Sequence, residues 1–213
     1  MSEAAIAASA RSLAKRIIAE LARRRPLFVA LDGRSGSGKS TLAAAVAAML
    51  EPDTSVVVID GDDFYAGGSA ATWDRRDARQ KAEGVIDWRR QRQVLTDLRD
   101  HGAATWSAFD WDADDWDADV VPLLAEPVVC QVADVVILEG AYSCRPELAH
   151  LVDLRVLLAP PPEVTRAQLL AREGEHYQAD WSSRWGEAEA HYFATVMPPE
   201  AFDLVIRPSP PTT

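Results

Sequence analysis

The chemistry of this chain begins at residues 33–40, GRSGSGKS, which meet the spacing G-x-x-x-x-G-K-[ST] of a phosphate-binding loop. Gly33, Gly36 and Gly38 free the backbone for turns that aim successive N–H groups into one concavity. An alanine-rich helix opening at Lys39 adds its own N-terminal N–H groups and the positive end of its dipole. Lys39 is placed to reach the β- and γ-phosphates of a nucleotide, and the Ser40 hydroxyl to ligate Mg²⁺. Gly33, Ser35, Gly36, Ser37, Gly38, Lys39, Ser40 and Thr41 form the expected nucleotide-binding set. An ordinary Gly/Ser turn is the competing reading, and it fails on context. An apolar run, Leu27 to Leu31, leads into the loop and a helical pattern leaves it, as the motif requires.

Two further apolar runs end in carboxylates. Val56 to Ile59 enters DGDDFY at 60–65, and Val135 to Leu138 enters Glu139-Gly140-Ala141-Tyr142. Such runs, buried on both faces, mark parallel strands, and groups just past their C-terminal ends sit on the ligand-binding edge of an open α/β sheet. Phosphoryl transfer to a hydroxyl needs alignment, charge neutralisation and a group to accept the hydroxyl proton. One carboxylate near the γ-phosphate can take that proton and another can anchor Mg²⁺, and Ser40, Asp62 and Glu139 are the candidates. Taken singly, Asp62 could be an Asx-type turn and Glu139 a helix cap; beside a phosphate loop, the catalytic reading explains both. Tyr65, Tyr142 and Arg145, close in sequence to these carboxylates, are candidates for acceptor contact. Residues 110–119 repeat DWDAD twice. Two readings of this stretch stand: an exposed acidic loop with aromatic anchors, or Phe109 and Trp111 as one wall of an acceptor pocket.

The elements that must position these groups alternate. Residues 3–25 pattern as an amphipathic helix through Ile6, Leu13, Ile17 and Leu21, with Arg23 and Arg24 as charges complementing the dipole of its last turn and Pro26 as its stop. A helix over about 39–50 follows the loop. Residues 66–84 lack apolar periodicity and read as a loop or short helices. A helix over 87–101 buries Val94, Leu95 and Leu98, leaving Arg89, Arg90, Arg92 and Arg99 for solvent or an anion. A strand, Leu154 to Leu158, precedes three prolines and a helix from Glu163 to Arg172. A polar, Trp-dotted stretch (173–187), a helix (187–196), a strand from Phe202 to Ile206 and a frayed tail (209–213) complete the chain. Five apolar strands separated by helices predict an α/β fold with a mainly five-stranded parallel sheet covered on both faces.

Composition bounds the function. The 213 residues, 48% hydrophobic and 26% charged, suit one globular domain over 1–213, with an N-terminal helix (1–25) and a core (26–208). A net charge of −11 argues against a general nucleic-acid binder. Cys130 and Cys144, both in or beside apolar runs, read as reduced core thiols, and the four histidines lack ligand spacing. No apolar run has membrane-spanning length and no signal-peptide core is evident, so a cytoplasmic location is expected. A homo-oligomer is left open.

VALDGRSGSGKSTLA, VVVIDGDDFY and VVILEGAYS together resemble the uridine kinase branch of P-loop kinases, which also holds phosphoribulokinase-like, pantothenate kinase-like and nicotinamide riboside kinase-like members. The resemblance spans roughly 27–207. It implies a P-loop NTPase three-layer α/β/α sandwich, ATP and Mg²⁺, and transfer of the γ-phosphate to a hydroxyl of a nucleoside-like small molecule. It implies Asp62 as general base and Glu139 as the acid assisting Mg²⁺. A helical lid over about 163–187 would bring Arg166 and Arg172, with Arg184 as a further candidate, to the phosphates, and Asp87 would contact acceptor hydroxyls. Three features depart from the family: Asp114 stands where uridine–cytidine kinases carry His, Ala66-Gly67-Gly68 replaces the basic residue after DxFY, and the lid lacks doubled arginines. Asp112, Asp114 and Asp115 beside Trp111 suggest an amine-bearing acceptor. A monophosphate acceptor is the rival, with Arg75, Arg76, Arg79 and Arg89 as its anion cluster. A regulatory NTPase and a non-catalytic binding module are further alternatives.

Overall fold

The computed structural model describes residues 2–113, 121–173 and 179–208. The second DWDAD copy with Asp114 and Asp115, the centre of the lid at 174–178 and the tail at 209–213 lie outside the described residues.

Helix α1 (Glu3–Leu21) starts at Ser2, whose hydroxyl accepts the Ala5 N–H at 3.3 Å. Strand β1 (Leu27–Asp32) is buried along its whole length. After the phosphate loop come α2 (Lys39–Leu50), β2 (Val56–Asp60) and a 3-10 turn, Gly61–Phe64. Two short helices, α3 (Ala70–Asp74) and α4 (Ala78–Gly84), occupy the stretch without apolar periodicity. Helix α5 (Trp88–His101) is capped by Asp87 and ends at Gly102, with Val94, Leu95 and Leu98 buried. An antiparallel hairpin, β3 (Ala103–Trp106) with β4 (Val128–Gln131), follows. Strands β5 (Val135–Glu139) and β6 (Leu154–Leu158) lead to the lid helices α6 (Pro162–Glu173) and α7 (Ala179–His191), a π-turn at Tyr192–Val196, and β7 (Leu204–Ile206).

The main sheet has five parallel strands in the order β2-β5-β1-β6-β7. Alternation along β1 divides the core: Leu27, Val29 and Leu31 face α1 and α2, whereas Phe28 and Ala30 face the layer that holds α5 and α7. This is the three-layer α/β/α arrangement expected from the strand pattern. Both cysteines are buried thiols. No helix among the described residues is long and apolar enough to cross a membrane.

Four expectations need correction. Helix α1 stops at Leu21, before Arg23 and Arg24; Arg23 reaches back to Glu20 at 3.7 Å, whereas Arg24 leaves the helix. Arg24 instead pairs with Asp153 and Arg25 with Asp134 at 2.9 Å, where carboxylates precede β6 and β5. The β3–β4 hairpin escaped the sequence pattern because its strands are short and Val128 and Val129 are exposed, leaving no buried run to read. The helix expected over 187–196 begins at Ala179, and its last turn widens into the π-turn. The α5 arginines are not simply solvated. Arg99 lies over the Phe28 ring and bonds the Leu151 carbonyl at 2.9 Å, and Arg90 donates to the Ser107 carbonyl.

Candidate functional site

The phosphate loop connects β1 to α2 at the centre of the sheet. Gly38, with φ 91°, stands as the left-handed residue before Lys39, and Gly36 has φ 72°. A Cβ on Gly36 would sit 2.5 Å from Leu169 Cγ and 2.9 Å from the Thr165 carbonyl, so the loop and lid helix α6 fit only around glycine there. Lys39 is buried, and its ammonium bonds the Arg34 carbonyl across the loop at 3.2 Å. The Ser37 hydroxyl is buried inside the loop with no hydrogen-bond partner. A buried polar atom left unpaired costs about 1–3 kcal/mol. An arriving phosphate oxygen removes that cost.

Strand register brings the acidic groups to this loop. Glu139 lies opposite Leu31 on one side and Asp60 on the other. It is 3% exposed, and burial pushes its carboxyl up to about 7, against the Ser40 hydrogen bond and the Lys39 charge. The three aspartates at the end of β2 and in the turn after it divide their work. Asp60 accepts the Asp62 N–H at 2.9 Å, and burial and the charge of Asp62 raise its pKa. Asp63 accepts the Trp106 indole N–H at 2.8 Å. The Asp62 side chain is exposed at the site.

These oxygens fit Mg²⁺. Ser40 and Glu139 are hydrogen-bonded to one another, and Asp60 and Asp62 are close enough to raise the Glu139 pKa. Among the described residues no group of three metal-binding side chains forms a ready cage. That also suits Mg²⁺, which takes one or two protein oxygens and fills its shell with phosphate and water.

The largest omission from the sequence reading is Asp32. It is 0% exposed and accepts four hydrogen bonds: from Gly33 N–H (2.8 Å), Tyr142 N–H (2.9 Å), the Tyr192 hydroxyl (2.9 Å) and Cys144 N–H (3.0 Å). Burial nevertheless pushes its carboxyl up to about 6. Asp32 thus ties the start of the phosphate loop to the segment after β5 and to the π-turn. Tyr142 is held at φ 66°, a strained left-handed conformation for a tyrosine. A polar residue closing an apolar run was the one signal available. Glu189, also missed, reaches from α7 to accept the Ser35 N–H at 2.7 Å, with Arg34 at 3.8 Å.

On the acceptor side Tyr65 is buried among rings, 4.9 Å from Phe109, 5.0 Å from Trp111 and 6.3 Å from Trp185. Burial pushes its hydroxyl up to about 12. Phe109 is itself buried and packs edge-on against Trp111, which is 43% exposed. Asp112 is exposed to solvent. Asp87 caps α5 by accepting the Arg89 and Arg90 N–H groups at 3.1 and 3.3 Å. Tyr142 is buried against Tyr192, and Arg145 is buried beneath Trp88 and paired to Glu147 at 3.0 Å.

The lid arginines separate. Arg166 and Arg172 are exposed on α6, whereas Arg184 is buried and bonds Asp74 at 2.5 Å. With the Trp73–Trp185 contact at 5.2 Å and Lys81–Glu187 at 3.7 Å, Arg184 fastens α7 onto α3 and α4. The arginines proposed for a phosphate acceptor do not converge: Arg76 covers Trp73, Arg79 pairs with Glu83 and Arg89 covers Trp88. A cleft of about 330 Å³ opens beside the loop, walled by Arg34, Leu158, Pro160, Thr165 and Phe193.

Comparison with known proteins bears on this geometry. A family model described as Zeta toxin matches residues 11–66, the segment that carries the phosphate loop. A uridine kinase of Ureaplasma parvum is 22% identical over 188 residues, spanning 87% of this chain and 84% of its own. The structure of a possible uridine kinase from Bacillus stearothermophilus superposes with a TM-score of 0.64 at 20% identity, covering 92% of this chain and 99% of that one. A D-glycerate 3-kinase from Cryptococcus neoformans superposes with a TM-score of 0.65 at 15% identity, over 93% of this chain and 95% of its own. The fold, and the phosphate loop at its centre, are those of the uridine kinase-like P-loop kinases.

Proposed function

We propose that this protein is an ATP-dependent kinase that transfers the γ-phosphoryl group to a hydroxyl of a small molecule. The observation that carries this reading is the exposed Asp62 carboxylate set beside the Ser40–Glu139 pair and Lys39. The loop N–H groups and Lys39 hold and neutralise the triphosphate. Asp62 accepts the proton as the acceptor oxygen bonds to phosphorus, the bond from phosphorus to the bridging oxygen breaks, and ADP leaves. Ser40 and Glu139 would hold Mg²⁺, which supplies neutralising charge on the phosphate oxygens.

The relatives described as uridine kinases support a nucleoside-like acceptor. For an amine-bearing acceptor, only Asp112 of the three aspartates is described, and it faces solvent. A phosphate acceptor gains nothing from a general base and finds its arginines engaged elsewhere.

Steady-state kinetics of Asp62→Asn test the reading. Loss of the general base is expected to lower kcat by about 10²–10⁴-fold, with the ATP KM changed only a few-fold. Full turnover in this variant would refute the assignment of Asp62.

A further inference from the structure

Two buried groups take no part in the reaction proposed above: Asp32 and the Tyr192 hydroxyl. Each Asp32 oxygen receives two donors, the Gly33 and Tyr142 N–H groups on Oδ1, and the Cys144 N–H and Tyr192 hydroxyl on Oδ2. A carboxylate offers about four lone-pair sites, so this one has none left for a ligand. What it can do is hold other parts in place. Tyr192 is 2% exposed and opens the π-turn, which the Met197 N–H closes on the Tyr192 carbonyl at 2.8 Å. Such wide turns are rare and occur often at functional sites.

The Asp32–Tyr192 bond, 2.9 Å long, joins two parts that a bound nucleotide must span. Asp32 ends β1 and holds Gly33, the first residue of the phosphate loop. Tyr192 directly precedes Phe193 and Ala194, which wall the cleft of about 330 Å³. The Phe193 ring lies 5.0 Å from the Tyr192 ring, and the Arg34 guanidinium of the loop lies 5.6 Å over it. The other wall includes Leu157 and Leu158 of β6. A Cβ on Gly33 would stand 2.5 Å from the Leu158 carbonyl, so this wall also abuts the loop.

Sheet order gives the direction in which a nucleotide lies. Asp62 follows β2 and Glu139 ends β5, on one side of β1, whereas the cleft opens at β6, on the other. A triphosphate on the loop with its γ-phosphate toward Asp62 therefore points its nucleoside end toward the cleft. Among the described residues, Arg34 and Thr165 are the only polar side chains that line it. Apolar walls with few polar groups suit a flat organic ring. We propose that Asp32 and Tyr192 are a positioning pair for the donor nucleotide. Their bond sets the spacing between the loop that takes the triphosphate and the wall that takes the nucleoside. This rests on the kinase reading above, in which the donor is ATP. The pair touches neither substrate and acts through Gly33 and Phe193.

The test is calorimetric titration of the full chain, with Mg²⁺ present, by two probes. One is a non-hydrolysable ATP analogue; the other is tripolyphosphate, which has three phosphates and no nucleoside. Wild type is expected to bind the analogue about tenfold or more tightly than tripolyphosphate. Tyr192→Phe removes only the hydroxyl. It is expected to lose most of that advantage while its tripolyphosphate affinity stays within about twofold of wild type. In turnover the same variant is expected to raise the ATP KM about tenfold and leave the acceptor KM unchanged. A role in stability alone would lower the urea midpoint and leave both affinities of the folded protein as they were. Phe193→Ala keeps the pair but removes the wall it positions, so it is expected to lose the same advantage. It decides the matter if Tyr192→Phe does not fold. Equal binding of the two probes by wild type, a parallel loss or no loss in Tyr192→Phe, or an advantage that survives Phe193→Ala overturns the pair. The expected binding pattern without phosphoryl transfer to any hydroxyl would refute the kinase reading and leave the pair standing.

Discussion

Burial and ionisation oppose one another at Glu139, whose carboxyl is raised to about 7 although the Ser40 hydroxyl and Lys39 favour its charged form. A divalent cation bound there relieves the desolvated charge. Glu139→Gln is therefore expected to weaken apparent Mg²⁺ affinity about tenfold to a hundredfold, read by titrating Mg²⁺ at saturating ATP. An unchanged Mg²⁺ requirement would remove Glu139 from the metal site. Asp32 presents a similar conflict in a structural role. Its pKa rises from 3.8 to about 6 on folding, so the folded state holds the proton more tightly. The stability due to that proton is complete below the unfolded value and is lost as pH rises through about 6, a change of about 3 kcal/mol. Asp32→Asn loses acceptor capacity for the four donors but does not titrate. Its destabilisation, measured by urea unfolding, should be largest near pH 4 and shrink by up to about 3 kcal/mol at pH 7. A penalty that grows with pH would contradict this. Lys39, Ser40, Asp62 and Glu139 could be singled out as candidates in the sequence because fixed spacing and contiguous apolar runs mark them. Asp32 and Glu189 were not, since their roles arise from distant partners: Tyr142 and Tyr192 bond Asp32, and Ser35 bonds Glu189.

Among the elements, α7 joins the phosphate loop to α3 and α4. Glu189 holds the phosphate loop, while Arg184, Trp185 and Glu187 hold α3 and α4. Trp185→Ala should destabilise the protein by about 3 kcal/mol, seen as a lower urea midpoint, because it vacates a buried aromatic contact. A midpoint unchanged from wild type would show that α7 is not packed as described. Glu189→Gln weakens the charge-assisted bond to the loop N–H and the pairing to Arg34. ATP affinity is expected to fall several-fold, measured by direct titration, with the acceptor KM little changed. Little of this element was visible beforehand, because the Trp-dotted stretch shows its periodicity only once α3 and α4 supply the surface it packs on. The hairpin hid for the converse reason: its apolar run, Val128 to Cys130, is three residues long, and Val128 and Val129 are exposed.

At the scale of the molecule, the five-strand parallel sheet followed from buried Val/Ile/Leu runs, each ended by Gly, Pro or a carboxylate. The order β2-β5-β1-β6-β7 places the phosphate loop between the strands that carry Glu139 and the lid. Crossover sheets bind ligands at that edge, so the topology accounts for a donor site on β1 and acidic groups on its neighbours. The region proposed for the acceptor is less legible because it is built from short helices and a hairpin with no shared period. The central claim is that these parts move a phosphoryl group from ATP to a small-molecule hydroxyl. It is tested most directly by incubating wild type and Asp62→Asn with γ-phosphate-labelled ATP and a pool of small hydroxyl compounds, then resolving the labelled products. The account expects a labelled phosphate monoester from wild type, formed about 10²–10⁴-fold more slowly by the variant. Label recovered only as inorganic phosphate, or equal rates for the two proteins, would contradict it.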